Sequence, residues 1–543
     1  MALNALFYLK LILIVTKKNL QVKSIVLLVV LFIFSYQLKG QAFISSAPFT
    51  AGTPFLEPDN RRELIKISDN EFVVLSKIKG GMTGSSEYSL EKYDADLKNY
   101  FKSPITIAEN EEIRDIFFNG TDIVVFVVVH NTSASESKLI AYGFNSSSGA
   151  KKWDKVLMQN KITPFQTVRG RGAVEESFEN AILSCLSKSY VTPIEYQYDI
   201  QYSPDESKII VYAFDYAKPN LIANAAVFDK NIVEQSRGVV PIDNNFVNYG
   251  IFVNNLGMVY ILNVDKLGRI VVIQYNLINK DNKLLDIQYS STQRESLRFS
   301  FVNDDEVFVG CTNTNQGKLA GVMYCKFSFK QNLVEKINFH ELGDALIETA
   351  NAARGSNKNL KGEENWMNFE LTHFSVNKYE KVLMVLEKRE VNGYEYAYKS
   401  EAPLDPANWK ERIAKVNTEG LLMFSFNSSD ELMWENYYSK SQMTDVAVGM
   451  SSSSFILDAD DELIRIVYGS SDNAAGTFNL YNYVQWDATN GNKVKELPLQ
   501  NDDKLSLVRN YSVVFRDKVV LVGRKGLLAK KYLMSTYQIN HGN

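Results

Sequence analysis

The sequence predicts an all-β fold, an eight-bladed β-propeller of four-stranded antiparallel blades closed by an N-terminal strand. Three observations carry that reading. A short hairpin of two apolar strands around a polar turn recurs eight times. A third, aromatic strand and a weaker fourth follow most copies. The last repeat is one strand short, while the stretch 42–53 (AFISSAPFTAGT) near the N-terminus precedes the first hairpin and has none of its own.

The first 42 residues read as a targeting segment and stand outside the fold. Lys17, Lys18 and Lys23 form a basic region ahead of the apolar run IVLLVVLFIFSY at 25–36, and LKGQA follows with Gly40 and Ala42 as candidate cleavage positions. The apolar run is short for a membrane span of roughly 20 residues. A second run, ALFYLKLILIV at 5–15, is unusual in a signal peptide. A start codon assigned too far upstream accounts for it, and an anchoring segment is the alternative. The segment holds five lysines and no acid, so its removal takes the formal charge from −4 to −9. That excess of acid disfavours nucleic acid, which is bound chiefly by neutralising phosphates. No cysteine precedes Cys185, so an acylated-cysteine anchor is not expected. The expected location is the periplasm, the outer membrane or the cell surface.

The hairpins follow in order. They are IKISDNEFVVLSK at 65–77, IFFNGTDIVVFVVV at 116–129, IQYSPDESKIIVYAF at 200–214 and IFVNNLGMVYIL at 251–262. FSFVNDDEVFVGC at 299–311, FSVNKYEKVLMVL at 374–386, FILDADDELIRIVY at 455–468 and VVFRDKVVLVG at 513–523 complete the set. Asn and Asp cap their own turns and tolerate left-handed backbone, as Gly does. Near-continuous apolar strands indicate cover on both faces, and alternating outer strands indicate one solvated face. Eight such units in series predict radial stacking, because a single blade cannot bury its own faces. A seven-bladed ring with one copy misassigned is the alternative.

After the last hairpin only KKYLMSTYQIN remains before the chain ends at Asn543, so the eighth blade lacks its outer strand. The stretch 42–53 is expected to supply it. About 500 residues over eight repeats exceeds the roughly 40–50 per repeat a blade needs, so insertions must exist. The hairpin turns near 69, 120, 205, 255, 304, 377, 459 and 516 place the excess at about 159–180, 341–370 and 389–415. The segment GDALIETANAARG reads as a short helix. All three insertions are expected on one face of the ring, where long loops on a rigid scaffold concentrate binding residues. They carry Arg169, Arg171, Trp366, Tyr394, Tyr396, Tyr398 and Trp409. These side chains either form a recognition surface, where Tyr, Trp and Arg dominate energetics, or pack the insertions onto the ring.

Catalytic chemistry is poorly represented. Of the four histidines, His130 ends a strand, His541 is terminal, and His340 and His373 flank the second insertion. No HxH or HExxH spacing occurs, and a transition metal needs three or four convergent ligands. The acidic turns DADDE (458–462) and NDDE (303–306) lack the calcium-loop pattern and read as solvated turns. No G-x-S-x-G, Walker A or G-x-G-x-x-G occurs. No catalytic residue, metal or cofactor is expected. Cys311 and Cys325 flank a predicted hairpin turn, either bridged across it or present as two small half-buried residues, and Cys185 is unpaired in both cases.

Two stretches resemble the repeat of quinoprotein-like propellers: FNSSSGAKKWDK at 144–155 and WDATNGNKVKELPL at 486–499. In that family an aromatic strand ends in Asp, a turn residue and Gly follow, and a Trp begins the outer strand and docks between blades. Only the first copy has both Gly149 and Trp153. The second has Gly491 without a Trp, and Trp434 in NSSDELMWEN lacks the Gly. The chain shows neither adjacent cysteines nor the acidic calcium set of the quinone-dependent dehydrogenases, so the resemblance implies a non-enzymatic member that scaffolds envelope machinery. The expected function is a protein-interaction scaffold with a protein partner in the cell envelope, in one version an accessory or plug subunit of an outer-membrane assembly or secretion complex. The alternative is a carbohydrate-binding or carbohydrate-active propeller, a hydrolase or lyase with a glycan ligand.

Overall fold

The computed structural model describes residues 41–49, 62–79, 85–108, 110–131, 136–161, 198–215, 222–242, 246–265, 268–287, 293–315, 318–353, 366, 368–392, 397–398, 409–410, 415–445, 455–470, 480–525 and 531–539. Each of the eight repeats is a separate antiparallel sheet whose strands pair in chain order. Blade one consists of Leu64–Lys66, Glu71–Lys79, Ser86–Asp94 and Asn99–Ile107. Blade two consists of Glu111–Phe118, Asp122–Asn131, Glu136–Asn145 and Lys151–Lys161. Blades three to seven span 198–241, 246–287, 293–341, 369–445 and 456–500. First strands touch between blades one and two, three and four, five and six, and seven and eight, which places the first strands around the axis and the fourth strands at the rim.

Blade eight closes the ring as the strand count predicts. Its first strand is broken into Ser506–Leu507 and Val513–Val514 by a 3-10 turn at Arg509–Tyr511, and both pieces pair with Lys518–Lys525. The third strand, Lys531–Ile539, then pairs with the N-terminal strand Gln41–Phe49 from Gln41↔Ile539 to Phe49↔Tyr532. Gln41 and Ala42, within the expected leader, belong to this strand.

The core is not central. Eight apolar clusters each lie between two adjacent blades, and the last joins Val520, Tyr532 and Met534 of blade eight to Phe72, Val74 and Tyr93 of blade one. The strand Asp122–Asn131 shows why its sequence is apolar throughout. Successive side chains point to opposite faces. Ile123, Val125 and Val127 pack on blade one, and Val124, Phe126 and Val128 pack on blade three. All six are at most 2% exposed.

Docking between blades uses a glycine of one blade and a ring of the preceding one. Gly491, in the third turn of blade seven, has φ +71°, and a Cβ there would lie 2.6 Å from the ring of Trp434 on the fourth strand of blade six. Trp434 Nε1 donates to the Ala488 carbonyl at 3.1 Å, and Asn436 Nδ2 donates to the Gly491 carbonyl at 2.6 Å. Gly149 of blade two, φ +69°, rests in the same way on Phe101 and Ser103 of blade one. In blade two, Trp153 Nε1 donates to Asp122 Oδ2 at 2.9 Å. The Gly491–Trp434 pair is therefore one contact shared by two repeats.

Cys311 and Cys325 are both buried. Cys311 is the register partner of Met323, and Cys325 of Val309, so the two thiols are staggered by two residues rather than opposed. Cys185 lies outside the described residues.

Candidate functional site

Antiparallel order fixes which connections share a face. Turns after the first and third strands of each blade lie on one face, and those after the second and fourth lie on the other. Among the described connections the first face carries tight turns, and both chain ends, before Gln41 and after Ile539, leave from it as well. All three insertions fall on the second: one follows Lys151–Lys161, one follows Leu333–Glu341, and one separates Val382–Asn392 from Lys415–Phe426 in blade six. The third insertion begins after Asn392, because 389–392 extend the second strand of that blade.

The expected site residues divide unequally. Arg169, Arg171, Tyr394 and Tyr396 lie outside the described residues. Tyr398 and Trp409 are register partners in a two-stranded ribbon, Ala397–Tyr398 with Trp409–Lys410. Trp366 is 8% exposed, stacks on Phe369 at 5.9 Å between centroids, and packs with Leu346 and Ala350 of helix α1 (Asp344–Ala353). It fastens the second insertion to the ring. His340 Nε2 lies 2.9 Å from Glu435 Oε2 of blade six at the start of the same insertion.

Beneath the second and third insertions, blade six encloses a charged cluster that the sequence reading did not single out. Glu387 and Lys440 form an ion pair with both side chains 0% exposed. Lys440 Nζ also donates to Gln442 Oε1 at 2.6 Å and to Thr418 Oγ1 at 3.2 Å. Arg389 Nε donates to Glu387 Oε2 at 3.0 Å, and its Nη1 lies 3.3 Å from Glu370 Oε2. Burial holds the Lys440 ammonium below its usual range, against the pull of Glu387. The register between the third and fourth strands shifts at Glu419/Leu421, around Gly420 with φ +63°. The run LEKRE, which breaks an otherwise apolar strand, was the available signal.

A second buried carboxylate ties three blades together near the axis. Asp115, on the first strand of blade two at a register shift, accepts from the Arg62 and Ile116 backbone N–H groups at 2.9 Å each. Its Oδ2 accepts from the Tyr202 hydroxyl of blade three at 2.7 Å. The Arg62 guanidinium lies 3.9 Å from the Tyr202 ring centroid and 2.8 Å from Glu206 Oε1. First strands of blades four, five and six also shift register in their first halves, a feature that re-aims side chains.

Burial pushes the Asp115 carboxyl up to about 6, against the pull of Arg62 and Tyr202. A carboxyl raised in the folded state binds its proton more tightly there than in the unfolded chain. Its contribution to stability is then largest below the usual carboxylate range and is lost as pH rises through about 6. Urea unfolding of wild type and Asp115→Asn across pH 4 to 7 is expected to show the wild type losing about 3 kcal/mol relative to the variant. A pH-independent difference removes this assignment.

Among the described residues no group of three His, Cys, Asp or Glu converges to hold a metal ion. His373 is pushed down to about 4 by burial and by Arg298, and Nδ1 of the buried His130 lies 3.3 Å from Ser137 Oγ. The acidic turn of blade seven is engaged locally: Asp460 Oδ1 accepts from the Glu462 and Leu463 amides, and Arg465 pairs with Asp458 and Asp460. No described helix is long and apolar enough to cross a membrane.

No protein-family model and no curated protein matches the chain. Among solved structures it is similar to the WD40 domain of SCAP from fission yeast, with 8% identity over 92% of this chain and 98% of that one and a TM-score of 0.37. The β-propeller domain of the Trilobed protease from Pyrococcus furiosus matches with 9% identity, 80% and 98% coverage and a TM-score of 0.34. The quinohemoprotein alcohol dehydrogenase from Comamonas testosteroni matches with 10% identity, 94% and 78% coverage and a TM-score of 0.33. Likenesses this distant carry no argument about activity. The fold rests on the strand pairing.

Proposed function

We propose that this chain is an exported, non-enzymatic propeller that binds a protein partner in the cell envelope through its insertion face, as an accessory or plug subunit of an outer-membrane assembly or secretion complex. One observation supports the reading: the three insertions into the repeat all leave the ring on one face, while the described connections within blades on the opposite face are tight turns. The insertions rest on a rigid base, since α1 and Trp366 are packed into the blade five–six cluster. The Tyr398–Trp409 ribbon of the third insertion brings two aromatic residues into register, and such residues dominate interface energetics.

The test is affinity capture from solubilised envelope membranes with wild type and with Tyr398→Ala/Trp409→Ala. The reading expects one stoichiometric membrane partner, weakened at least tenfold in the variant. Capture of no partner, together with glycan binding that the same variant loses, replaces it with the carbohydrate reading.

A further inference from the structure

The three most exposed large apolar side chains among the described residues all stand on the tight-turn face: Ile278 at 75%, Leu256 at 70% and Tyr379 at 59%. Two of them share blade four. Leu256 lies in the turn between Phe246–Val253 and Val259–Asp265, and Ile278 in the turn between Ile270–Tyr275 and Asn282–Ile287. Val259 and Tyr275, which begin and end the central strand pair, are register partners. The two turns are therefore side by side.

These turns are held in place. Asn254 Oδ1 accepts from the Leu256 and Met258 amides at 3.1 and 2.8 Å, and Asn276 Oδ1 accepts from the Ile278 amide at 2.9 Å. The Asn255 amide donates to Asp304 Oδ1 of blade five at 2.9 Å, and Asn255 Oδ1 accepts from the Asp205 amide of blade three at 3.3 Å. Asn254 Nδ2 and the Tyr260 hydroxyl both donate to the Asp304 carbonyl, at 2.7 and 2.6 Å. A belt of hydrogen bonds across three blades thus presents an apolar pair to solvent in a fixed geometry. The first turns of the two neighbouring blades, 203–208 and 302–306, hold five carboxylates against Lys208, with Glu206 paired to Arg62, while the third turns on either side, 229–233 and 329–332, carry Asp229, Lys230 and Lys330.

We infer that the Leu256–Ile278 patch of blade four is a second docking surface, for a protein segment that presents apolar side chains flanked by Lys or Arg. Charge complementarity selects this occupant. The acidic surround repels an anionic membrane and the like-charged turn face of a second copy. Preorganisation lowers the ordering cost of binding.

The test titrates the full chain with three labelled peptides: two leucines flanked by lysines, the same with glutamates for lysines, and the same with serines for leucines. The lysine-flanked leucine peptide is expected to bind saturably and to weaken steeply from about 50 to about 500 mM salt. Binding should fall at least tenfold in Leu256→Ser/Ile278→Ser, and should also fall in Asp305→Lys, all at exposed turn positions. Tyr398→Ala/Trp409→Ala should leave it unchanged, which separates this surface from the insertion face. Unaltered binding by the double variant, equal binding of the glutamate peptide, or no saturable binding overturns the inference. So does self-association, or adhesion to anionic vesicles, that the double variant abolishes.

Discussion

Replacing Lys440 by methionine is expected to lower the unfolding free energy by about 3–5 kcal/mol, the cost of leaving one partner of a buried ion pair behind. Glu387 is 0% exposed and, among the described residues, keeps Arg389, which it shares with Glu370. Gln442 and Thr418 lose the ammonium that holds them. The double variant Glu387→Leu/Lys440→Met should recover most of the loss, because a buried pair exchanged for apolar residues of similar volume is often neutral. Equilibrium urea unfolding of the two single variants and the double variant isolates the coupling. A loss below about 1 kcal/mol for Lys440→Met means the cluster is hydrated and not a closed core. The cluster sits at the stem of the third insertion, so a correct result also predicts that Lys440→Met weakens partner capture along with stability.

The second large effect is ring closure. A chain beginning at residue 50 lacks the strand Gln41–Phe49 and leaves Lys531–Ile539 as an exposed edge in a three-stranded blade. Eight register pairs are lost. At about 0.5–1.5 kcal/mol for each hydrogen bond, this amounts to roughly 4–12 kcal/mol, comparable with the whole stability of many domains. The truncated chain is expected to aggregate through that edge. A peptide spanning 41–49 added in trans should restore a monomeric ring, read by sedimentation and by hydrogen exchange at the amides of 532–539. A truncated chain that is monomeric and as stable as wild type contradicts the closure.

The eight hairpins were legible because their signal is local. Each is a period-two apolar pattern around an Asn, Asp or Gly turn, such as IFFNGTDIVVFVVV, and that pattern depends on no distant residue. The helix at 344–353 and the shared face of the insertions were legible for a related reason: connection order in an antiparallel blade decides which end a loop leaves from. The charged cluster of blade six was not legible. The charges of LEKRE have no partner nearby in the sequence, since Lys440, which pairs with Glu387, lies more than fifty residues later. The same holds for Asp115, whose partners Arg62 and Tyr202 come from blades one and three. Trp366 read equally well as a recognition aromatic or as packing, and only the position of α1 places it against Phe369.

The repeat and the missing outer strand are legible in the chain because strand period, turn chemistry and strand count are written in neighbouring residues, and the strand pairing then excludes the seven-bladed alternative. The tertiary structure decided which residues meet across the blade interfaces. Gly491 finds its ring in Trp434 of the previous blade, Asp115 finds its donors in two other blades, and the N-terminal strand finds its partner at the far end of the chain. Burial, and with it the shifted ionisation of Asp115 and Lys440, arises only when separate repeats are stacked. No single repeat can create it, because each blade leaves both of its faces to be covered by its neighbours.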